Sequence, residues 1–90
     1  MKNRSSDIIV ERFDWPVIRP HSIVPVIVVY KSPKDYPGKY AARLFDLDAP
    51  TRLVFVADTY VELIDRLPVQ QMTRMARHPS DDPAIVEVWM

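Results

Sequence analysis

Cysteine is absent from this sequence of 90 residues, and glycine occurs only once. Without cysteine the chain forms no disulfide, binds no zinc through thiolates and has no thiol nucleophile. A single glycine also excludes the glycine-rich motifs that bind phosphates or dinucleotides, and the glycine-flanked serine of many hydrolases. We therefore predict that the protein is not an enzyme and holds no cofactor.

The sequence also lacks an excess of charge of one sign and a long apolar run. Lysine plus arginine and aspartate plus glutamate both number 12, so the net charge is zero, without the basic excess typical of nucleic-acid-binding proteins. The longest nearly apolar run, residues 23–30, is far shorter than the roughly 20 residues of a membrane-spanning helix. The polar residues 1–7 do not resemble a signal peptide. We expect a cytoplasmic protein with no membrane partner.

The distribution of proline predicts three regions. Residues 1–7 are polar and are expected to form a flexible tail. Residues 8–24 begin with a short apolar stretch and then carry prolines at positions 16 and 20, with another at 25. Because proline removes an amide donor and disfavours helix in the residue before it, we predict an extended proline-rich arm that is not helical. Residues 25–90 then form a single domain.

Most of this domain has the pattern of β-strands. Runs that are apolar on both sides predict covered strands, and strict alternation predicts a strand with one buried face. The predicted strands are residues 26–30, 39–46, 52–57 and 84–90, and a short strand near residue 8 precedes them. In the second of these, Tyr40, Ala42 and Leu44 share one face and should point to the core, while small Ala41 leaves room on the other.

One helix interrupts the strands. Thr59 followed by Glu62 forms a capping box, apolar residues recur on one stripe from Tyr60 to Leu67, and Pro68 ends the helix. The predicted fold is therefore α+β: a small antiparallel sheet of four to five strands with one helix packed on one face, in the order (β)-β-β-β-α-β.

The only glycine has a structural explanation. Pro37 and Gly38 occupy the two central positions of a turn from Tyr36 to Lys39. Proline suits the first central position of a type II turn, and glycine accepts the positive φ of the second. We predict that Gly38 lies at the tip of a hairpin.

Terminal aromatic residues make protein association our leading functional hypothesis. Trp15 and Trp89 lie on segments that a small core need not cover, although each could simply close one end of the core. Phe45 and Arg43 share the strand face that we expect to point away from the core. These four residues form a predicted protein interface, either with a second copy as a homodimer or with another protein.

Clustered cations suggest a second hypothesis. The chain has basic segments around the hairpin and near residue 75, next to tyrosines on which bases could stack. The predicted nucleic-acid contacts are Lys34, Lys39, Arg43, Arg74 and Arg77. The simpler interpretation is an ordinary mixed surface, since acidic segments balance the basic ones.

A third hypothesis rests on one loop. His78 with Asp81 and Asp82 resembles the beginning of a metal or catalytic site. One imidazole and two adjacent carboxylates in a proline-bounded turn are more typical of a solvated turn with an Asx hydrogen bond. We predict no metal and no catalytic residue.

Several short stretches resemble known proteins. The segments 36–40, 42–45, 58–59, 80–83 and 85–89 together resemble short bacterial proteins of unknown function, over residues 25–90. This resemblance implies a compact α+β unit. The pair Asp58-Thr59, which ends a strand and caps an amphipathic helix, is also similar to HicB-type antitoxin domains. That similarity implies an antitoxin-like regulator, although the family's glycine-containing turn and DNA-binding segment are missing.

Overall fold

The structure, a computed structural model, describes residues 7–76 and 82–90. Its strands are β1 (Ile8–Ile9), β2 (Pro25–Lys31), β3 (Tyr40–Asp46), β4 (Ala49–Ala57), β5 (Arg74–Ala76) and β6 (Ile85–Trp89). Its helices are α1 (Trp15–Ile18) and α2 (Tyr60–Asp65), and a 3-10 turn covers Val69–Gln71. The strands form one sheet in the order β1-β4-β3-β2-β6-β5. β1 lies parallel to β4, and the other neighbours are antiparallel.

This architecture confirms the mixed α and β class but corrects the details. Among the described residues, the sheet has six strands instead of four to five, one pair is parallel, and two short helices are present instead of one. The predicted order (β)-β-β-β-α-β omitted α1 and β5. β5 has only three residues, all exposed, so it shows no apolar alternation that a pattern could reveal.

The prediction that residues 8–24 contain no helix is wrong. Asp14 caps α1, since its side chain accepts a hydrogen bond of 3.2 Å from the backbone N–H of Val17. Pro16 lies in the first helical turn, where a missing N–H costs nothing and a fixed φ favours the helix. Phe13, just before α1, and Ile18, the last residue of α1, are only 2% and 0% exposed. The proline-rich segment therefore contributes to the core.

The core lies on one face of the sheet, here called the first face, under the two helices. Its buried residues come from β2, β3 and β4, from both helices and from the segments that flank the helices. They are Phe13, Ile18, Ile27, Val29, Ala42, Leu44, Leu53, Phe55, Ala57, Leu63, Leu67 and Met72. The prediction for β3 is confirmed: Ala42 and Leu44 are buried there and Tyr40 packs against them.

Two local predictions are confirmed in detail. The backbone N–H of Lys39 donates to the carbonyl of Tyr36 at 3.2 Å, and Gly38 has a φ of 78°. This is the geometry of the predicted type II turn. Gly38 does not lie at the tip of the hairpin, however, because its N–H donates to the hydroxyl of Ser32 and the two residues lie at opposite ends of the loop. At α2, the Thr59 hydroxyl accepts from the backbone N–H of Glu62 at 3.1 Å, as expected for an N-cap.

Candidate functional site on the second face of the sheet

The face of the sheet opposite the core, here called the second face, carries one continuous row of side chains. Pairing across the neighbouring strands places one residue from each strand in this row. In spatial order the row is Ile9, Val54, Arg43, Val28, Val88 and Met75. Arg43 is its only charged member. A cation therefore lies in the middle of an otherwise apolar row.

The loop between β2 and β3 covers part of this face. The Ser32 hydroxyl accepts from the backbone N–H of Gly38 at 2.9 Å, which ties the two ends of the loop together. Beneath the loop, Ala41 is 3% exposed and Val54 is 1% exposed. A cavity of about 170 Å³ remains between the loop and the strands. Its lining residues are Tyr30, Pro33, Asp35, Tyr36, Ala41, Arg43 and Val54.

Beside this cavity Arg43 holds the carboxylate of Asp7. Arg43 Nη1 donates to Asp7 Oδ1 at 3.2 Å and Nη2 donates to Oδ2 at 3.0 Å, which makes the pair bidentate. The Tyr36 hydroxyl donates to Asp7 Oδ2 at 2.7 Å, and Nη1 of Arg43 also donates to the carbonyl of Thr51 at 2.9 Å. The side chains of Arg43 and Asp7 are 21% and 8% exposed. Burial, then the hydrogen bond to Asp7, raises the pKa of Tyr36 to about 12.

The other end of the second face is apolar and exposed. Val86, Met75 and Met90 are 37%, 46% and 54% exposed. β5 lies at this edge of the sheet. Thr73 and Met90 exchange backbone hydrogen bonds of 2.8 and 3.0 Å. Because antiparallel strands alternate hydrogen-bonded and non-hydrogen-bonded pairs, the backbone groups of the residues on either side of Met75 point away from β6.

A second buried charge lies on the first face. Glu87 is 3% exposed, and its Oε2 accepts from the Tyr60 hydroxyl at 2.7 Å and from Trp89 Nε1 at 2.9 Å. Arg74 Nη1 lies 3.6 Å from Oε1. Burial, then the hydrogen bond to Glu87, raises the pKa of Tyr60 to about 12. This arrangement connects α2 to β6 and β5.

The structure separates the four predicted interface residues into two pairs. Arg43 and Phe45 alternate with core residues of β3 and so lie together on the second face. Trp15 and Trp89 are partly buried and pack against the core cluster. The indole of Trp89 is also held by its hydrogen bond to Glu87. The tryptophans therefore do not join the second face.

Most of the predicted nucleic-acid contacts are engaged within the chain. Three cations are paired with carboxylates: Lys39 with Asp58, Arg74 with Glu87, and Arg43 with Asp7. Lys34 is exposed in the loop between β2 and β3. Arg77 lies outside the described residues. The basic residues therefore do not form one uncompensated patch within the described part of the chain.

Of the three residues in the predicted site His78, Asp81 and Asp82, His78 and Asp81 lie outside the described residues. Asp82 Oδ1 accepts from the backbone N–H of Ala84 at 2.9 Å, which is the Asx hydrogen bond of a turn. Over residues 7–76 and 82–90, no three histidine or acidic side chains are grouped so that they could hold a metal ion. Within the same ranges, no helix is long and apolar enough to cross a membrane.

Asp7 and Glu87 were not identified from the sequence as members of a charged centre, and Tyr36 was predicted only as a surface on which bases could stack. The sequence pattern that could have revealed such a centre is a single charged residue between apolar neighbours in a strand, as at Arg43 in β3 and Glu87 in β6. A charge at such a position needs a partner when the strand is covered. The sequence does not reveal which residue supplies that partner, since Asp7 is 36 positions away from Arg43.

No protein-family model, no curated protein and no solved structure matches the chain. The resemblances to short bacterial proteins and to HicB-type antitoxins therefore stay predictions. The function of the chain has to be inferred from its own surface.

Proposed function

We propose that this protein is a non-enzymatic protein-interaction module that self-associates by pairing the β5 strands of two copies. The observation that carries the proposal is the edge of the sheet at β5, where outward-pointing backbone groups lie beside exposed apolar side chains. Such an edge is a template for strand addition. In line with the resemblance to bacterial proteins, we place the module in the bacterial cytoplasm.

The register of β5 is compatible with a two-fold axis. The outward-pointing backbone groups belong to Arg74 and Ala76, which flank Met75. When two β5 strands run antiparallel about an axis through Met75, Arg74 lies opposite the partner's Ala76. The backbone N–H and C=O groups of Arg74 then exchange hydrogen bonds with those of the partner's Ala76, as an antiparallel ladder requires. An isologous contact of this kind is the commonest way to form a homodimer.

The side chains near this axis suit the same arrangement. Met75 of each copy meets the partner's Met75 on the second face, where Val86 and Met90 add exposed apolar surface. On the first face, Arg74 lies opposite an alanine, so no two like charges face each other across the axis. Methionine is adaptable and is favoured at such contacts.

Sedimentation equilibrium tests the proposal. The wild-type chain should form dimers at micromolar concentration. Met75→Lys places two ammonium groups next to the axis, and its dissociation constant should rise about tenfold or more, equivalent to at least ~1.4 kcal/mol. The matched control is Val61→Lys, which introduces the same charge at a residue of α2 that is 77% exposed. A monomeric wild-type chain, or equal effects of the two lysines, would contradict the proposal.

A second variant tests the backbone contact. Ala76→Pro removes one outward-pointing N–H and leaves the inward bonds of β5 intact, because proline is tolerated at an edge position that faces solvent. We expect monomers with an unchanged thermal unfolding midpoint at low concentration. A dimer that survives this substitution would show that association uses another surface.

The alternative predicted from the sequence, a nucleic-acid-binding or antitoxin-like regulator, has less support. Three of its five predicted contacts already pair with carboxylates, and the net charge is zero. A mobility-shift assay at low salt with single-stranded and double-stranded oligonucleotides addresses it directly. Binding that weakens steeply with salt would favour this alternative over the interaction module.

A further inference from the structure

The segment Asp7–Val10 is held to the sheet by the carboxylate of Asp7, by a short parallel ladder with β4 and by Val10, which packs against the core. β1 pairs with only two residues of β4, a strand of nine residues. Ile8 and Ile9 remain 45% and 55% exposed, so these two residues bury little apolar surface. In contrast, the Asp7 side chain is 8% exposed. A bound peptide can supply the same buried carboxylate on a short edge strand.

Two of the residues that hold the Asp7 side chain, Arg43 and Tyr36, form a carboxylate receptor. The guanidinium of Arg43 contacts both oxygens of the carboxylate, and the Tyr36 hydroxyl gives a third hydrogen bond. Bidentate arginine pairs recognise carboxylates with defined geometry. An apolar residue in the central row would avoid the desolvation cost of a partly buried cation and often stabilises a fold as well or better. Stability alone therefore does not explain why the row holds Arg43.

The adjoining cavity is part of the same receptor. Tyr36 and Arg43 line it as well as binding the carboxylate, and its volume is about 170 Å³. A cavity of ~150 Å³ is large enough for a benzene ring. Among the described residues, none of the segment Asp7–Val10 contributes to its lining. Tyr36 lines the cavity with its ring, against which another aromatic ring packs favourably.

We propose that the receptor formed by Arg43, Tyr36 and the outer edge of β4 binds an extended segment of a partner protein that carries an aspartate next to an aromatic residue. The aspartate takes the place of the Asp7 carboxylate, and the aromatic ring enters the cavity. The backbone of the partner segment adds to β4 in place of β1. In the structure the chain's own segment Asp7–Val10 is the resident ligand of this receptor.

The partner segment has to compete with the resident segment Asp7–Val10, and this competition determines which partner segments bind. The resident segment is tethered, so its effective concentration is high, and a peptide with only a carboxylate should not displace it. The aromatic ring supplies contacts that the resident segment lacks. This site lies at the opposite edge of the sheet from β5. It therefore goes beyond the proposed self-association and can fail independently of it.

Peptide titration of the full-length protein, followed by NMR, tests this inference. The probe is the pentapeptide Phe-Asp-Ile-Ile-Val, acetylated and amidated, which keeps the resident sequence and adds a ring before the aspartate. Two matched peptides replace either the phenylalanine by alanine or the aspartate by asparagine. We expect each replacement to weaken binding about tenfold or more, and the shifted resonances to include Tyr36 and Arg43.

Variants of the protein test the competition. Asp7→Asn weakens the resident contact but keeps a carbonyl acceptor for Arg43, and it should bind the probe about tenfold more tightly than the wild type. Arg43→Leu removes the guanidinium that contacts both carboxylate oxygens and should abolish binding of the probe. Val61→Lys, at an exposed residue of α2, should bind the probe as the wild type does.

Three outcomes would overturn the inference. They are equal binding of the aspartate and asparagine peptides to the wild type, no gain in affinity from Asp7→Asn, and undiminished binding by Arg43→Leu. The peptide comparison on the wild-type chain needs no substitution in the protein. It therefore decides the question even where a variant fails to fold.

Discussion

Replacing Glu87 by alanine removes an acceptor that two side chains share. The hydroxyl of Tyr60 and the indole N–H of Trp89 both donate to its Oε2, at 2.7 and 2.9 Å. Hydrogen bonds to a charged group contribute about 1.5–3 kcal/mol each. The ion pair with Arg74 adds little, because its atoms are 3.6 Å apart and the Arg74 side chain is 65% exposed.

The expected loss for Glu87→Ala is about 3–4 kcal/mol, since both donors are only partly buried and regain some contact with water. Native domains have about 5–15 kcal/mol of stability in total, so this loss is a large fraction. Glu87→Gln keeps a neutral acceptor at the same place and should cost only about 1 kcal/mol. The difference between the two substitutions isolates the contribution of the buried acceptor.

Urea unfolding followed by tryptophan fluorescence measures these losses through the midpoint and the slope. Glu11→Ala is the matched control, because Glu11 is exposed and its removal should change the free energy of unfolding by less than about 0.5 kcal/mol. In a double-mutant cycle, Glu87→Ala should couple to Tyr60→Phe by ~1 kcal/mol or more. A loss for Glu87→Ala as small as that of the control would refute the reasoning.

Three further predictions concern local structure and pH. Gly38→Ala should cost about 1 kcal/mol in urea unfolding through its φ of 78° alone, since an added Cβ meets nothing within 4 Å; an unchanged midpoint would contradict this. Thr59→Ala should cost ~1 kcal/mol, and Thr59→Ser should cost far less, because serine also caps a helix. The pKa of Tyr36 and Tyr60 is raised from 10.0 to about 12, so the unfolded chain loses these protons at lower pH and stability should fall as pH rises through this window. Tyr36→Phe and Tyr60→Phe should each reduce this loss of stability, as measured by unfolding and phenolate absorbance across the same pH range. If both variants lost as much stability as the wild type, the two phenols would not be the cause of the pH dependence.

Sequence patterns succeeded where neighbouring residues alone decide the conformation. The turn at Gly38 follows from one proline and one glycine in adjacent positions, and the cap of α2 follows from Thr59 and Glu62. The alternation in β3 identified its core face, because alternate side chains of a strand point to opposite faces and only one of the two sets is apolar throughout. These features rest on short-range sterics and hydrogen bonds, which a sequence displays directly.

Sequence reasoning failed where distant segments decide the outcome. Proline at position 16 was interpreted as a helix breaker, although Asp14 before it provides the cap that makes the same proline a helix starter. β5 is too short to show a pattern, and it is a strand only because β6 lies beside it. β1 likewise depends on the edge of β4, which lies more than forty positions along the chain.

The sequence by itself determined the mixed class, the turn, the cap and the apolar strands, since each depends on residues a few positions apart. Only the tertiary structure decided which charges are buried and what holds them. Arg43 and Glu87 are ordinary charged residues in the sequence, and their environments arise from contacts 36 and 27 positions away. The energetic effect of a buried charge depends on its partner, and the partner is determined by how the sheet brings remote segments together.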